Sequence, residues 1–271
     1  MPMGVPTVPA MVDPAKRFSI EGKSVIVTGA SGAMGSEAAK ALGAAGANVT
    51  LAGGNVAALE ELAALPELAG RSTIVARRPD ELADAEAIVA AAVSAFGGLD
   101  GMLIASGMNK VGLIQDQSVE DWESVMDANV KGSWLMAKAA APVLIGQGRG
   151  GSVVLVSSTR GKLGHPAGYT AYCPSKAAVD LLGKTLAAEW GPHQIRCNVL
   201  APTVFRSELT AWMYADDDKG RATREAMFAR IPLKRFAEPE DFVGALIYLL
   251  CDSSSFVTGQ VLYIDGGYTA C

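Results

Sequence analysis

The stretch GYTAYCPSKAAVD, Gly168 to Asp180, brings two phenols and one ammonium together: Tyr169, Tyr172 and Lys176. A free phenol titrates at about 10 and is a poor acid or base at neutral pH. A lysine close by favours the phenolate and lowers that value, which equips a tyrosine to transfer protons. Tyr172 and Lys176 are four residues apart, so on a helix they share a face one turn apart. Tyr169 reaches the same face only if the helix begins earlier, two turns from the lysine. Pro174 suits a first helical turn, whereas Gly168 and Pro166 oppose a helix upstream. Tyr172 is therefore the candidate acid/base, and Tyr169 belongs to the loop before it. Ser158, at the end of the apolar run SVVLVSS, is placed to hydrogen-bond a substrate carbonyl. Arg160 and Lys162 follow it; either offers a cation to a polar substrate group. His165 and Trp212 are further candidate substrate contacts.

A second constellation has a different chemistry. TGASGAMG, Thr28 to Gly35, follows an apolar run and opens an alanine-rich stretch. Strand, glycine turn and helix N-terminus make a phosphate site, because glycines admit close approach and the free N–H groups favour an anion. Gly29, Gly32 and Gly35 are the candidate cofactor contacts, with Ser31 and Met34 in the same turn. Dinucleotide sites usually carry an acid for the ribose diol, or a cation for a 2′-phosphate, at the end of the second strand. Here that place reads LAGGN: Gly53, Gly54 and Asn55. Neither NAD nor NADP has its usual anchor, so discrimination between them is expected to be weak unless Arg77 or Arg78, after the third strand, reaches in.

The elements that position these residues are legible in the hydropathy pattern. KSVIVT, NVTLA, STIVA, GMLIA, GSVVLVS, IRCNVL and QVLYID are short, nearly continuous apolar runs, as in parallel strands covered on both faces. Between them lie helix-forming segments such as SEAAKALGAAG, VAALEELAAL, ADAEAIVAAAVSAF and DWESVMDANVKGSWLMAKAAAPVL. The alternation predicts a doubly wound α/β sheet with right-handed crossovers. No linker or repeat divides residues 17–271, which are read as one domain. The segment 203–235 interrupts the rhythm, with Trp212, Met213 and Tyr214 beside three aspartates, and is read as a substrate lid.

The chain has 271 residues, half of them hydrophobic, with 23 Lys+Arg against 28 Asp+Glu and a net charge of −5. That balance argues against nucleic acid or an anionic membrane as partner. Four irregularly spaced cysteines and two histidines argue for free thiols and against a metal site. The proline-rich first sixteen residues have no cation before Lys16 and are read as a flexible arm rather than a secretory signal. No apolar run is long enough to cross a bilayer, so a cytoplasmic protein is expected.

Together, TGASGAMG, YCPSK, DANVKGSW, IRCNVLAP and the tail RFAEPEDFVGALIYLLCDSSSFVTGQVLYIDGGYTA resemble the short-chain dehydrogenase/reductase family from about Phe18 to Ala270. The resemblance implies a Rossmann-type, seven-stranded parallel sheet, a nicotinamide cofactor, NAD or NADP, and hydride transfer between a carbonyl and an alcohol. It implies that Tyr172 is the general acid/base, that Lys176 lowers its pKa and holds the nicotinamide ribose, and that Ser158 orients the substrate oxygen. Asn129 would link Lys176 to a water-borne proton relay. Ala105 and Gly107 after the fourth strand, and Pro202, Thr203, Val204 and Ser207 after the sixth, would line the cofactor. Subunit interfaces of a homotetramer are implied as well. The chain departs from the family pattern in IASG (Ile104 to Gly107), which lacks the usual asparagines, and in one extra residue between Ser158 and Tyr172. The expected activity is oxidoreduction of a small polar ketone or secondary alcohol, of sugar, polyol, sugar acid or cyclic alcohol type. A 3-oxoacyl thioester reductase and a non-catalytic nicotinamide-binding regulator are the alternatives.

Overall fold

The computed structural model describes residues 13–271. The seven apolar runs become β1 (Ser24–Thr28), β2 (Asn48–Ala52), β3 (Ser72–Val75), β4 (Gly101–Ile104), β5 (Gly151–Val156), β6 (Ile195–Pro202) and β7 (Val261–Ile264). They form one parallel sheet in the order β3-β2-β1-β4-β5-β6-β7. The chain starts at the centre, winds outward to β3, then crosses back to β4, so the order reverses between β1 and β4. In such sheets ligands bind outside the C-terminal strand ends at that reversal.

One turn of helix, α1 (Pro14–Arg17), precedes β1. The larger helices are α2 (Ala33–Ala44), α3 (Val56–Ala63), α4 (Leu82–Phe96), α5 (Val119–Met126), α6 (Gly132–Gln147), α7 (Tyr172–Trp190), α8 (Asp218–Arg230) and α9 (Val243–Leu250). They cover both faces of the sheet. Val25 and Val27 of β1 pack with Leu42 of α2, Leu59 of α3 and Leu249 of α9. Ile26, between them, points the other way, toward Ile88 of α4, Met136 of α6 and Val179 of α7. This period-2 alternation puts a buried apolar layer on each side, which is why the strands carry so few polar residues.

Two departures from simple alternation bear on the site. The apolar stretch Asp121 to Leu144 reads as one helix, but Asp127–Lys131 is a π-helical turn between α5 and α6. Such bulges are frequent at functional sites, and this one holds Asn129, 1% exposed. The second is the 203–235 excursion, built from a 3-10 helix (Glu208–Tyr214) and α8. It packs on a small core of its own around Ile231, Phe236 and Tyr268, with Tyr214 and Phe228 against Phe236.

Most of the expected arm, residues 1–16, lies outside the described residues. Its last part is tied to the body: Asp13 caps α1, and Arg17 at its end donates to the Asp252 carbonyl and to Ser255 Oγ.

Candidate active site

Helix α7 begins at Tyr172, as the four-residue spacing and Pro174 predict. Tyr169 stays in the preceding loop, where its ring meets Tyr172 edge-on at 5.9 Å and stacks on His165 at 4.5 Å. Lys176, one turn into the helix, is 5% exposed. Its Nζ donates to the Val156 carbonyl at 3.0 Å and lies 5.6 Å from the Tyr172 ring centre. Ser157 Oγ bonds the Lys176 carbonyl, locking α7 to the end of β5. Ser158 caps the 3-10 turn Thr159–Gly161, and its hydroxyl lies near enough to the Tyr172 phenol to lower its pKa. That turn begins the longer loop leading to Tyr172. Thr159, the residue that would restore the family spacing, is itself buried.

The electrostatics differ from the expectation. Burial pushes the Tyr172 phenol up to about 12, and the Ser158 hydroxyl only partly opposes this. Burial also lowers the Lys176 ammonium to about 8, with Asp180 one turn further on pulling it back up. Burial therefore outweighs the protein groups that lower the tyrosine, Ser158 and Arg160. Both groups lose water together, and desolvation is the largest influence on each. At neutral pH the pair is a protonated phenol beside a largely charged ammonium.

Asn129 does not hydrogen-bond Lys176 directly. Its side chain accepts from Met108 N at 2.8 Å and donates to the Met108 carbonyl at 3.0 Å and to Ser175 Oγ at 2.9 Å. It thereby pins the loop after β4 onto α7. Gly107 in that loop passes so close that a Cβ there would lie 2.8 Å from Asn129 Oδ1 and 3.5 Å from Lys176 Nζ. The asparagines missing from IASG are replaced by a bond that composition does not reveal: Thr28 Oγ1 accepts from Ala105 N, Ser106 N and Ser106 Oγ.

The glycine turn has the close backbone and free helix start that could hold a phosphate-bearing cofactor. Gly29 has φ +67°, and a Cβ there would sit 3.0 Å from the Ala105 and Ser106 backbone. A Cβ at Gly35 would overlap the Gly29 carbonyl. Gly32 caps α2 without any side-chain bond, so the first N–H groups of that twelve-residue helix are left for a ligand. Ser31 faces Gly53 across this turn. Met34 turns its side chain into the core, so only its backbone belongs to the cradle. Asn55 is used as the cap of α3. Gly54 is covered by Arg78, whose Cδ would lie 3.3 Å from a Cβ at that position. Arg77 is instead bound to Asp84 at 2.6 Å.

On the far side, Pro202 ends β6, Thr203 N bonds the Ile264 carbonyl, and the Val204 carbonyl accepts from Ala237 N. Ser207 is engaged as a helix cap with Thr210. Trp212 is 43% exposed and stacks with Lys219, its Nζ 4.7 Å from the ring; among the described residues no aromatic or hydrogen-bonded partner ties it to the Tyr172 cluster. Arg160 is half-buried beside that cluster and donates to the Gly164 carbonyl and to Tyr268 Oη. Tyr268 and Arg230, which the sequence reading did not single out, lie next to Arg160. Tyr268 comes from the tail and Arg230 from the last turn of the polar helix α8, and only the fold carries them here.

This geometry agrees with the comparisons. The family described as Enoyl-(Acyl carrier protein) reductase matches residues 29–269. An uncharacterized oxidoreductase of Mycobacterium tuberculosis is 64% identical over 258 residues, 94% of each chain. The L-rhamnose 1-dehydrogenase (NAD(P)(+)) of a Sphingomonas strain is 36% identical over 250 residues, 92% of this chain and 96% of that one. Other relatives are named as dehydrogenases of gluconate, D-threitol and a dichlorinated cyclohexadienediol. A crystal structure of gluconate 5-dehydrogenase from Burkholderia cenocepacia, in complex with NADP and tartrate, superposes with a TM-score of 0.87 at 27% identity, covering 94% of this chain and 98% of the other. The chain belongs to the short-chain dehydrogenase/reductase family, and it is a nicotinamide-dependent oxidoreductase of CH–OH and C=O groups.

Proposed function

We propose that the protein interconverts a small polar ketone and its secondary alcohol, of sugar, polyol, sugar acid or cyclic alcohol type. The observation that carries this reading is the convergence of Tyr172, Ser158 and Lys176 at the C-terminal edge of the sheet, beside the glycine cradle. Bound nicotinamide supplies or accepts the hydride at the carbonyl carbon. In reduction, the protonated Tyr172 phenol donates its proton to the carbonyl oxygen. Ser158 Oγ–H donates a hydrogen bond to the same oxygen and orients it. Lys176, charged at neutral pH, stabilises the phenolate left behind and offers donors to the ribose. Asn129 holds the loop that passes over the lysine.

Arg78 supports an NADP preference. Its stem lies over Gly54, where the adenosine ribose edge would come, and its only ion pair among the described residues is a long one, 3.6 Å to Asp80, with both side chains exposed. Gly53 and Gly54 put no carboxylate there to repel a phosphate. The 203–235 excursion is read as the lid of the site. Its acidic run is partly neutralised, since Asp216 and Asp218 both pair with Arg221. The exposed apolar face of α6 and α7, with Trp134 and Leu181, is read as a contact between copies in a homotetramer. Among the described residues no helix is long and apolar enough to cross a membrane, and the cytoplasm is the proposed location.

Incubating the protein with each nicotinamide cofactor and a panel of sugars, polyols, aldonates and cyclic alcohols, while following nicotinamide absorbance, tests the reading. Turnover within that panel is expected. Turnover confined to 3-oxoacyl thioesters would replace it with the acyl-reductase reading, and cofactor binding without any turnover would favour the regulator.

A further inference from the structure

We propose that the substrate of this site carries a carboxylate, and that Arg160 and Arg230 bind it beside the ring of Tyr268. The inference rests on the dehydrogenase reading above and narrows its substrate class.

Two elements far apart in sequence bring guanidinium groups to one buried ring. Arg160 lies just beyond Ser158, and Arg230 closes the last turn of α8. Their guanidinium carbons stand 5.5 Å and 4.3 Å from the centre of the Tyr268 ring, which is 1% exposed. Arg160 is also held by Gly164 O at 3.1 Å and Tyr268 Oη at 3.2 Å. These contacts orient its plane and leave further N–H donors of the fork unused.

The two charges act on the reacting end of the cleft. Both lower the pKa of His165, after burial; His165 stacks on Tyr169, and Tyr169 meets Tyr172. The Arg160 charge reaches Tyr172 itself. Among the described residues neither arginine has a carboxylate partner, whereas Arg77, Arg206, Arg221 and Arg235 are each paired with an acid. The acid at the end of β7 next to this cluster, Asp265, spends its oxygens on Gly267 N and Thr269 N. Two guanidinium groups against one ring, with no acid paired to either among the described residues, make a place that favours an anion. A ligand carboxylate supplies the missing anion, and the guanidinium fork matches its two oxygens.

The test uses pairs that differ only in the charged group: gluconate against sorbitol, lactate against propylene glycol, and β-hydroxybutyrate against butanediol, with sugar phosphates as a second class of anion. Initial rates are measured for the wild type, Arg160→Gln, Arg230→Gln and Arg230→Lys. Gluconate is also titrated against intrinsic tryptophan fluorescence, and thermal melts check that the variants fold. The acids are expected to exceed their uncharged partners at least tenfold in kcat/KM, chiefly through KM. Each glutamine variant is expected to raise KM for the acid about ten- to a hundredfold and to shrink the preference, with Arg230→Lys restoring part of it. Preference for the uncharged alcohols or for sugar phosphates would overturn the inference while leaving the dehydrogenase reading intact. So would glutamine variants that slow acid and alcohol by the same factor, since the arginines would then only brace Tyr268. Cofactor binding without turnover of any compound would remove the dehydrogenase reading and this inference together.

Discussion

Replacing Lys176 by methionine should abolish turnover and yet leave the fold at least nearly as stable. Lys176 is 5% exposed, and burial brings its ammonium down to about 8 from an ordinary value of 10.5. The unfolded chain therefore binds the proton more tightly than the folded one. Between those two pH values the unfolded state holds more protons, so this group makes stability rise with pH; below about 8 its full cost is present. A depression of that size corresponds to roughly 3 kcal/mol. Methionine keeps an unbranched stem and removes the charge, which recovers that cost. It also leaves the Val156 carbonyl without its lysine donor, at about 1–3 kcal/mol. The two nearly offset, so Lys176→Met should lie within about 2 kcal/mol of the wild type at about pH 7. Urea unfolding followed by tryptophan fluorescence checks this at about pH 7 and about pH 9.5. On going to the higher pH the wild type should gain about 2 kcal/mol relative to the variant. A variant several kcal/mol less stable at neutral pH, with a gap that does not move with pH, would refute the reasoning and make Lys176 a structural residue.

Arg78→Ala should weaken NADP binding about ten- to a hundredfold by direct titration and leave NAD binding nearly unchanged, as expected for one lost charge-assisted contact to a 2′-phosphate; equal losses for both cofactors would argue against that role. Gly35→Ala should cost about 1–3 kcal/mol in a thermal or urea melt and reduce cofactor affinity, because the new Cβ overlaps the Gly29 carbonyl. Alcohol oxidation should keep rising with pH from about 6 to about 10 without a plateau, because oxidation needs the phenolate of a group that the protein itself raises to about 12. Carbonyl reduction, which needs the phenol, should not; a pH–rate series in both directions distinguishes the two.

Much of this site was readable because its logic is local. Tyr172, Pro174 and Lys176 lie within one helical turn and a half, and α7 starts where their spacing requires. The glycine turn follows β1 directly, so its backbone role was visible from order alone. The strands were readable because burial on both faces leaves an unbroken apolar signature. What sequence could not supply was contact between distant segments. Thr28 stands in for the asparagines absent from IASG through bonds to Ala105 and Ser106, more than seventy residues away. Nothing in the run RRPD distinguishes Arg77 from Arg78; the fold commits the first to Asp84 and lays the second over Gly54. Arg230 sits on a helix with only Gly220 buried, whose composition suggests a solvated surface. The tyrosine pKa was misjudged for a related reason. Spacing shows that an ammonium is near, but the water removed from both groups depends on everything packed around them.

The most direct test of the account is a comparison of Tyr172→Phe with Tyr169→Phe, each examined for cofactor binding by fluorescence titration and for turnover of an accepted substrate. The phenylalanine at 172 keeps the ring packed against Tyr169 and removes only the proton donor. The account predicts that Tyr172→Phe binds cofactor like the wild type and loses turnover by about a hundredfold or more, while Tyr169→Phe remains active. An active Tyr172→Phe enzyme beside an inactive Tyr169→Phe enzyme would contradict it.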